Sequence, residues 1–121
     1  MTTNNGLDTN NLSHNREVVQ QYIDDPLNTS KISFKLGYDL INCGQWVLDH
    51  AGSFSLPLLL MVGSEDHLVS TDAIKQFASV VPSGLLAFRI WEGQYHELHN
   101  EIHNEPPIQQ MLDWINHRMG V

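Results

Sequence analysis

Basic residues are scarce in this chain of 121 residues, which has 6 Lys and Arg against 14 Asp and Glu. The formal net charge at pH 7 is therefore −8. Proteins that bind nucleic acids neutralise phosphates with Lys and Arg, and proteins that dock on anionic lipid use basic patches. The composition argues against both kinds of partner, and an acidic surplus is typical of a solvated surface.

The sequence also has little cysteine and no long apolar run. Cys43 is the single cysteine, so no disulfide can form within the chain. No segment approaches the roughly 20 apolar residues of a membrane span. Residues 1–6 show neither the basic nor the apolar part of a signal peptide. These absences predict a soluble cytoplasmic protein, and the length predicts one domain.

A third absence concerns catalysis. The motif Gly-x-Ser-x-Gly, which places a nucleophilic serine on a strained strand-to-helix turn, occurs nowhere in the sequence. Ser53, Ser55, Ser64 and Ser70 lack the flanking glycines, and there is no His-Gly or Gly-Gly pair for an oxyanion loop. These 121 residues therefore show no nucleophile and no oxyanion donors for a base to work with.

Apolar periodicity predicts a polar tail over residues 1–12, a helical region over 13–55 and a β-α-β-loop-α unit over 56–121. Ser13 is the expected N-cap of the first helix, which Asp24-Asp25-Pro26 ends. The further predicted elements are a helix over 31–51, a strand over 56–62, a helix over 71–80, a strand over 85–91, a loop over 93–104 and a helix that starts at 106–107.

The predicted sheet is incomplete. Residues 58–62 are consecutively apolar, which favours a strand covered on both faces, as in a parallel sheet. Two strands cannot satisfy each other's outer edges and also be covered on both sides. The sequence thus predicts an α/β fold whose remaining strands come from sequence outside these residues or from another chain.

Two polar side chains follow the predicted strands. Asp66 comes just after Val62-Gly63, and His96 comes after Gly93. Catalytic groups gather at the carboxyl ends of parallel strands, and α/β-hydrolases end their Ser…Asp…His triad with a strand-end acid followed by a loop histidine. Asp66 as a turn cap and His96 as a surface histidine are the alternatives. Their joint placement favours the catalytic interpretation.

Three histidines of the same loop raise the possibility of a metal site. His96, His99 and His103 would share one face if the segment were helical. The run His96-Glu97-Leu98-His99 is, however, one residue short of the zinc-binding pattern His-Glu-x-x-His. Asn100 and Asn104 are also poor helix formers. A polar loop with solvated histidines is therefore favoured over a metal site.

Several stretches carry a resemblance to a known family through their order and spacing. They are Asn5-Gly6-Leu7-Asp8 through Leu12-Ser13-His14-Asn15 with Val18-Val19 and Tyr22; Asp25-Pro26-Leu27; Leu56-Pro57-Leu58-Leu59-Leu60-Met61 with Gly63, Asp66 and Val69-Ser70; and Tyr95-His96-Glu97-Leu98-His99-Asn100-Glu101. Together they resemble the C-terminal part of the monoacylglycerol lipase/lysophospholipase family of α/β-hydrolases.

The resemblance implies a fold, an activity and two site residues. The fold is the C-terminal portion of an α/β-hydrolase, with about two parallel strands, flanking helices and helices leaving the cap. Asp66 would be the triad acid and His96 the general base. The substrates would be monoacylglycerol or lysophospholipid esters, cleaved without metal or organic cofactor. The family's N-terminal half, with its serine and oxyanion loop, has no counterpart in these residues.

Three hypotheses follow. The first is a fragment of a serine ester hydrolase that is inactive by itself. The second is a non-catalytic module that pairs through open strand edges, either as a homodimer or with a separate N-terminal chain. The third is a metal-binding protein that uses His96, His99 and His103.

Overall fold

The computed structural model describes residues 1–120. Its helices are α1 (Arg16–Asp24), α2 (Phe34–Asp49), α3 (Thr71–Val80) and α4 (Glu105–Met119), and its strands are β1 (Thr2–Asn4), β2 (Lys31–Ser33), β3 (Leu58–Gly63) and β4 (Leu86–Trp91). Single 3-10 turns cover Thr9–Asn11, Ala51–Ser53 and Leu98–Asn100. From β3 onward the order is β-α-β-loop-α, as the apolar pattern predicts.

Strands β3 and β4 form a parallel pair, with α3 as the connection between them. A parallel pair needs a crossover because both strands run in the same direction, and a helix is its usual form. The register places Leu58 opposite Leu86 and Gly63 opposite Trp91, so the two strands end at the same edge of the sheet. The predicted α/β class, with two parallel strands and flanking helices, is confirmed.

Within residues 1–120 this parallel sheet has only these two strands. The outer edges of β3 and β4 therefore have no strand partner in the part of the chain that is described. Residues 58–61 of β3 are half-buried, and only Val62 and Gly63 at its carboxyl end are buried. The apolar run of β3 predicts a strand that is buried on both faces. In the structure only the carboxyl end of β3, next to the loops that follow the two strands, is buried to this degree.

Helix α1 begins two residues later than the N-cap prediction places it. Its N-cap is Asn15, whose side chain accepts a hydrogen bond from the N–H of Glu17. The predicted cap, Ser13, is fully buried and donates its hydroxyl hydrogen to the carbonyl of Asn100, with 2.8 Å between the oxygens. The prediction was wrong because Ser13 is engaged in a contact across the fold, which capping patterns cannot show.

The N-terminal segment is tied into the fold, so the predicted polar tail over residues 1–12 contains a short strand. Strand β1 pairs antiparallel with β2, with Thr2 opposite Ser33. The helix predicted over 31–51 was therefore too long at its start. Helix α2 begins at Phe34, where the Ser33 hydroxyl oxygen accepts a hydrogen bond from the N–H of Leu36 at 3.1 Å.

Helix α2 is apolar but has no buried residue. The side chains of Leu40 and Trp46 are 58% and 60% exposed. Residues 1–120 therefore leave most of the apolar surface of α2 exposed. No helix in that range has the length and hydropathy that crossing a membrane requires. The buried apolar residues lie elsewhere and are Leu12, Val19, Ala51, Val62, Val81 and Leu98.

Candidate active site

Asp66 lies in a tight turn that follows β3. The turn closes through a hydrogen bond from the Asp66 N–H to the carbonyl of Gly63 at 3.3 Å. The Asp66 side chain is 3% exposed. Its Oδ1 atom accepts hydrogen bonds from the N–H groups of Leu68 at 2.9 Å and Val69 at 3.0 Å. These two bonds fix the plane of the carboxylate and leave Oδ2 for another partner.

That partner is His96, on the loop after β4. The Nδ1 atom of His96 lies 2.8 Å from Oδ2 of Asp66. A carboxylate accepts hydrogen bonds, so Nδ1 carries the hydrogen and Nε2 is left as the basic atom. Within residues 1–120, Nε2 makes no hydrogen bond, and the side chain is 37% exposed. The structure thus brings the carboxylate of Asp66 and the imidazole of His96 together at one edge of the sheet.

The sharp turn that starts the His96 loop depends on Gly93. This residue has a φ of 69°, a left-handed conformation that glycine adopts without steric cost. Its N–H donates to the hydroxyl oxygen of Ser64 at 2.8 Å, and the Ser64 N–H donates to the carbonyl of Trp91 at 2.9 Å. Ser64 therefore joins the loop after β3 to the loop after β4.

Gly63 allows the two loops to approach each other. A Cβ atom at this position would lie 2.1 Å from the carbonyl oxygen of Gln94 and 2.4 Å from that of Tyr95. Contacts below 3.0 Å are not tolerated by real Cβ atoms. Beside it, the Glu65 N–H donates to the same Gln94 carbonyl at 3.1 Å. The backbone just before His96 thus rests directly on the end of β3, where a side chain would push it away.

A second pair of a histidine and a buried carboxylate lies on the other side of the His96 loop. The side chain of Glu101 is 3% exposed, and its Oε1 atom lies 3.0 Å from Nδ1 of His14. Oε1 also accepts from the N–H of Tyr95 at 2.8 Å. Burial acts to raise the pKa of Glu101, but the hydrogen bonds from Tyr95 and His14 outweigh it and lower the pKa overall. Glu101 is therefore a buried carboxylate held in its charged form.

The serine hydroxyls near this site have other partners. The Ser64 oxygen accepts from Gly93, the Ser70 oxygen caps α3 by accepting from Ala73, and Ser13 donates to Asn100. Within residues 1–120 no serine makes a hydrogen bond with His96. The Nε2 atom therefore has no serine hydroxyl as a hydrogen-bond partner among the described residues.

A wide groove lies beside His96, between β3 and α4. Its volume is about 500 Å³. It is lined by Pro57, Leu58, Leu59, Met61, His96, Leu98, His99, Met111, Trp114 and Ile115. Most of these side chains are apolar, and the groove follows the strand whose outer edge has no partner in the described part of the chain. The site is therefore open on the side of β3.

The histidines of this loop do not form a metal site. Residues 1–120 contain no group of three His, Cys, Asp or Glu side chains placed to hold a metal ion. Instead of forming one helical face, His99 lies in a 3-10 turn, and His103 lies outside that turn. The metal hypothesis for His96, His99 and His103 therefore receives no support from the geometry.

Three residues that shape the site, Gly63, Glu101 and His14, were not identified as such from the sequence. Gly63 was seen as the end of an apolar run and as part of a stretch that carries the resemblance, although its place between a buried strand and an acid hints at a close approach. Glu101 and His14 both occur in stretches that carry the family resemblance. Their pairing cannot be deduced from the sequence because they are 87 residues apart.

Comparisons with known proteins identify the family of this chain. Residues 1–103 match the family Hydrolase_4, described as serine aminopeptidase, S33. An uncharacterized abhydrolase domain-containing protein of Dictyostelium discoideum is 33% identical over 98% of this chain, which covers 13% of that protein. The monoglyceride lipase of Rattus norvegicus is 29% identical over 95% of this chain, which covers 39% of the lipase.

A solved structure shows the same fold. The monoacylglycerol lipase of Paleococcus ferrophilus superposes with a TM-score of 0.90 at 27% identity, over 94% of this chain and 45% of the lipase. The chain therefore spans less than half the length of each of these relatives. It belongs to the Hydrolase_4 family of serine aminopeptidase, S33 type, and corresponds to the C-terminal part of an α/β-hydrolase like monoacylglycerol lipase.

Proposed function

We propose that this chain supplies the acid and the base of a serine ester hydrolase that acts on monoacylglycerol or lysophospholipid carboxylic esters. The observation that supports the proposal most directly is the 2.8 Å contact between His96 Nδ1 and Asp66 Oδ2 beyond the ends of two adjacent parallel strands. In a triad, this contact sets the histidine tautomer and stabilises the imidazolium that forms when the base takes a proton.

In the proposed reaction, His96 Nε2 takes the proton from a serine hydroxyl as the serine attacks the ester carbonyl. The same nitrogen then gives the proton to the leaving alcohol. In the second half of the reaction it takes a proton from the water that attacks the acyl-serine and returns that proton to the serine oxygen as the fatty acid leaves. Asp66 keeps Nδ1 protonated throughout and balances the positive charge on the ring. Because these 121 residues contain no Gly-x-Ser-x-Gly motif, the serine and the oxyanion donors would come from outside them. We expect the chain alone to hydrolyse no esters.

The preference for lipid esters rests on similarity to proteins named monoglyceride lipase and monoacylglycerol lipase. An acyl chain needs an apolar cavity, whose complete walls would include residues beyond this chain. The substrate class therefore requires a direct test.

The test is complementation by the Paleococcus ferrophilus lipase. The part of that enzyme that this chain does not cover would be fused to the 121 residues or co-expressed with them. We expect release of fatty acid from a monoacylglycerol, lost on His96→Ala. The matched control is His103→Ala, a change in the same loop that leaves the Asp66 contact intact. An assembled complex that is inactive on monoacylglycerols and lysophospholipids, or that is unaffected by His96→Ala, would refute the proposal.

A non-catalytic pairing module is the second candidate function. Two observations favour it. Within residues 1–120 the outer edge of β3 pairs with no other strand, and an apolar groove of about 500 Å³ lies beside this edge. An exposed strand edge is a ready site for pairing with another chain. Light scattering of the 121-residue chain distinguishes the outcomes: a dimer would support self-pairing, and a cooperatively folded monomer would count against it.

A further inference from the structure

The His96 loop is irregular apart from the single turn Leu98–Asn100. A catalytic base must keep its geometry to within about 0.5 Å, which a loop achieves only when surrounding groups hold it. On one side the loop rests on the end of β3. Its other side contacts the segment of residues 12–14, which we call the N-terminal strap.

Three contacts join the strap to the loop. The Glu97 N–H donates to the carbonyl of Leu12 at 2.8 Å. The Ser13 hydroxyl donates to the carbonyl of Asn100 at 2.8 Å. The third contact is the carboxylate of Glu101, which accepts from both the backbone and the ring of His14. The part of the loop from Glu97 to Glu101, which begins immediately after His96, is thereby fastened to a distant part of the chain.

Glu101 has the most direct connection to His96. Its Oε1 atom accepts from the N–H of Tyr95, the residue immediately before His96, at 2.8 Å. The His14 ring also stacks on the Tyr95 ring, with 3.7 Å between the centroids and 26° between the planes. The peptide that leads into His96 is therefore held by a buried charged group, which is itself held by His14.

We propose that Glu101 is a positioning residue for His96: its buried carboxylate, anchored by His14, holds the Tyr95 N–H and so aims the imidazole at Asp66. The inference rests on the proposed function, in which His96 is the general base. Glu101 touches neither Asp66 nor the His96 ring in the described hydrogen bonds, so it acts through the backbone.

The variant Glu101→Gln tests this role because both carboxylate oxygens are used as acceptors. Oε1 faces the donors of Tyr95 and His14, and Oε2 faces the N–H groups of His14 and Ile102. An amide can offer only one oxygen, so its NH₂ group must face a donor on the other side. The substitution preserves the shape of the side chain, removes the negative charge that strengthens the bond to Tyr95, and leaves the donors that face one of the two oxygens without an acceptor.

The measurement is the tautomer of neutral His96 in the full 121-residue chain, read from the ¹⁵N shifts of its ring nitrogens. In the parent chain the Asp66 contact should hold the ring as Nδ1–H. In Glu101→Gln we expect the ratio of Nδ1–H to Nε2–H to fall about tenfold, the effect of losing one buried hydrogen bond. The control is Glu97→Gln, in the same loop, whose carboxylate bonds only Asn100 and should leave the ratio unchanged.

A second variant covers the case in which Glu101→Gln does not fold. His14→Phe keeps a ring over Tyr95 but removes the Nδ1 donor, and it should shift the ratio in the same direction. The parent ratio in both folded variants, Glu101→Gln and His14→Phe, would overturn the positioning role. An Nε2–H ring in the parent chain would contradict both the positioning role and the triad. If the tautomer ratio responds to these substitutions but the complex of this chain with the Paleococcus ferrophilus lipase part is inactive, the hydrolase proposal is refuted and the positioning role is not.

Discussion

The Nδ1 atom of His96 lies 2.8 Å from Oδ2 of Asp66, although the two residues are 30 positions apart. The other oxygen of Asp66 accepts two backbone N–H groups, from Leu68 and Val69. One carboxylate thus caps its own turn and orients the histidine, so the cap and the triad acid are compatible roles for the same side chain.

Asp66→Asn should invert the tautomer of His96. The amide oxygen would stay with the N–H groups of Leu68 and Val69, because they need an acceptor. The amide NH₂ would then face Nδ1, which must become the acceptor and leave the hydrogen on Nε2. The ¹⁵N shifts of the ring report this change. In an active enzyme assembled from this chain and the Paleococcus ferrophilus lipase part, the wrong tautomer should lower kcat by about 10⁴-fold. An unchanged tautomer in a folded Asp66→Asn chain would contradict the orienting role.

The isolated chain should show no turnover of a short-chain aryl ester above buffer. His96 Nε2 has no serine partner within residues 1–120, and a base without a nucleophile gives little rate enhancement. The assay compares the purified chain with its His96→Ala variant at equal concentration. Activity that persists through purification and disappears in His96→Ala would show that a nucleophile is present after all.

Gly63→Ala should destabilise the chain by roughly 3 kcal/mol, since a new methyl group in a closed contact forces the backbone apart. The added Cβ would meet the carbonyl oxygens of Gln94 and Tyr95 at 2.1 and 2.4 Å. Urea unfolding measures the loss. The matched control is Gly44→Ala in α2, where nothing lies within 4 Å, and there the change should be neutral or stabilising. Equal stabilities of the two variants would refute the close approach.

Stability should fall in acid partly through Glu101. Its pKa is lowered in the folded chain because the Tyr95 and His14 hydrogen bonds outweigh burial, with the charge of His14 adding to the effect. A lowered pKa means that the stabilisation is present above the unfolded value of 4.5 and is lost as the pH falls through the folded value.

Urea unfolding between pH 7 and pH 3 tests this expectation. In Glu101→Gln, stability at pH 7 should be lower and its decline below pH 4.5 should be shallower than in the parent. Identical slopes for Glu101→Gln and the parent would show that Glu101 does not contribute to acid sensitivity.

Local patterns account for much of the fold. Helix α3 matches its predicted bounds because Ser70 caps it and its apolar spacing is regular, both of which are properties of a short stretch. Helix α2 was placed too early because the pairing of β2 with β1 takes residues 31–33 out of the helix. Residues 2–4 lack an apolar pattern, so their strand could not be predicted locally. It forms because these residues pair with β2.

The sequence by itself determined that an acid and a histidine follow two apolar strands. An apolar run that ends near a glycine is a pattern of a few neighbouring residues, so it can be recognised without the tertiary structure. It also determined that no Gly-x-Ser-x-Gly serine accompanies them within these 121 residues. Only the tertiary structure decided that Asp66 and His96 meet at hydrogen-bond distance, that Gly63 makes room for the loop, and that Glu101 joins this loop to His14. These contacts link residues 30 to 87 positions apart, where packing and strand register, rather than local preference, set the geometry.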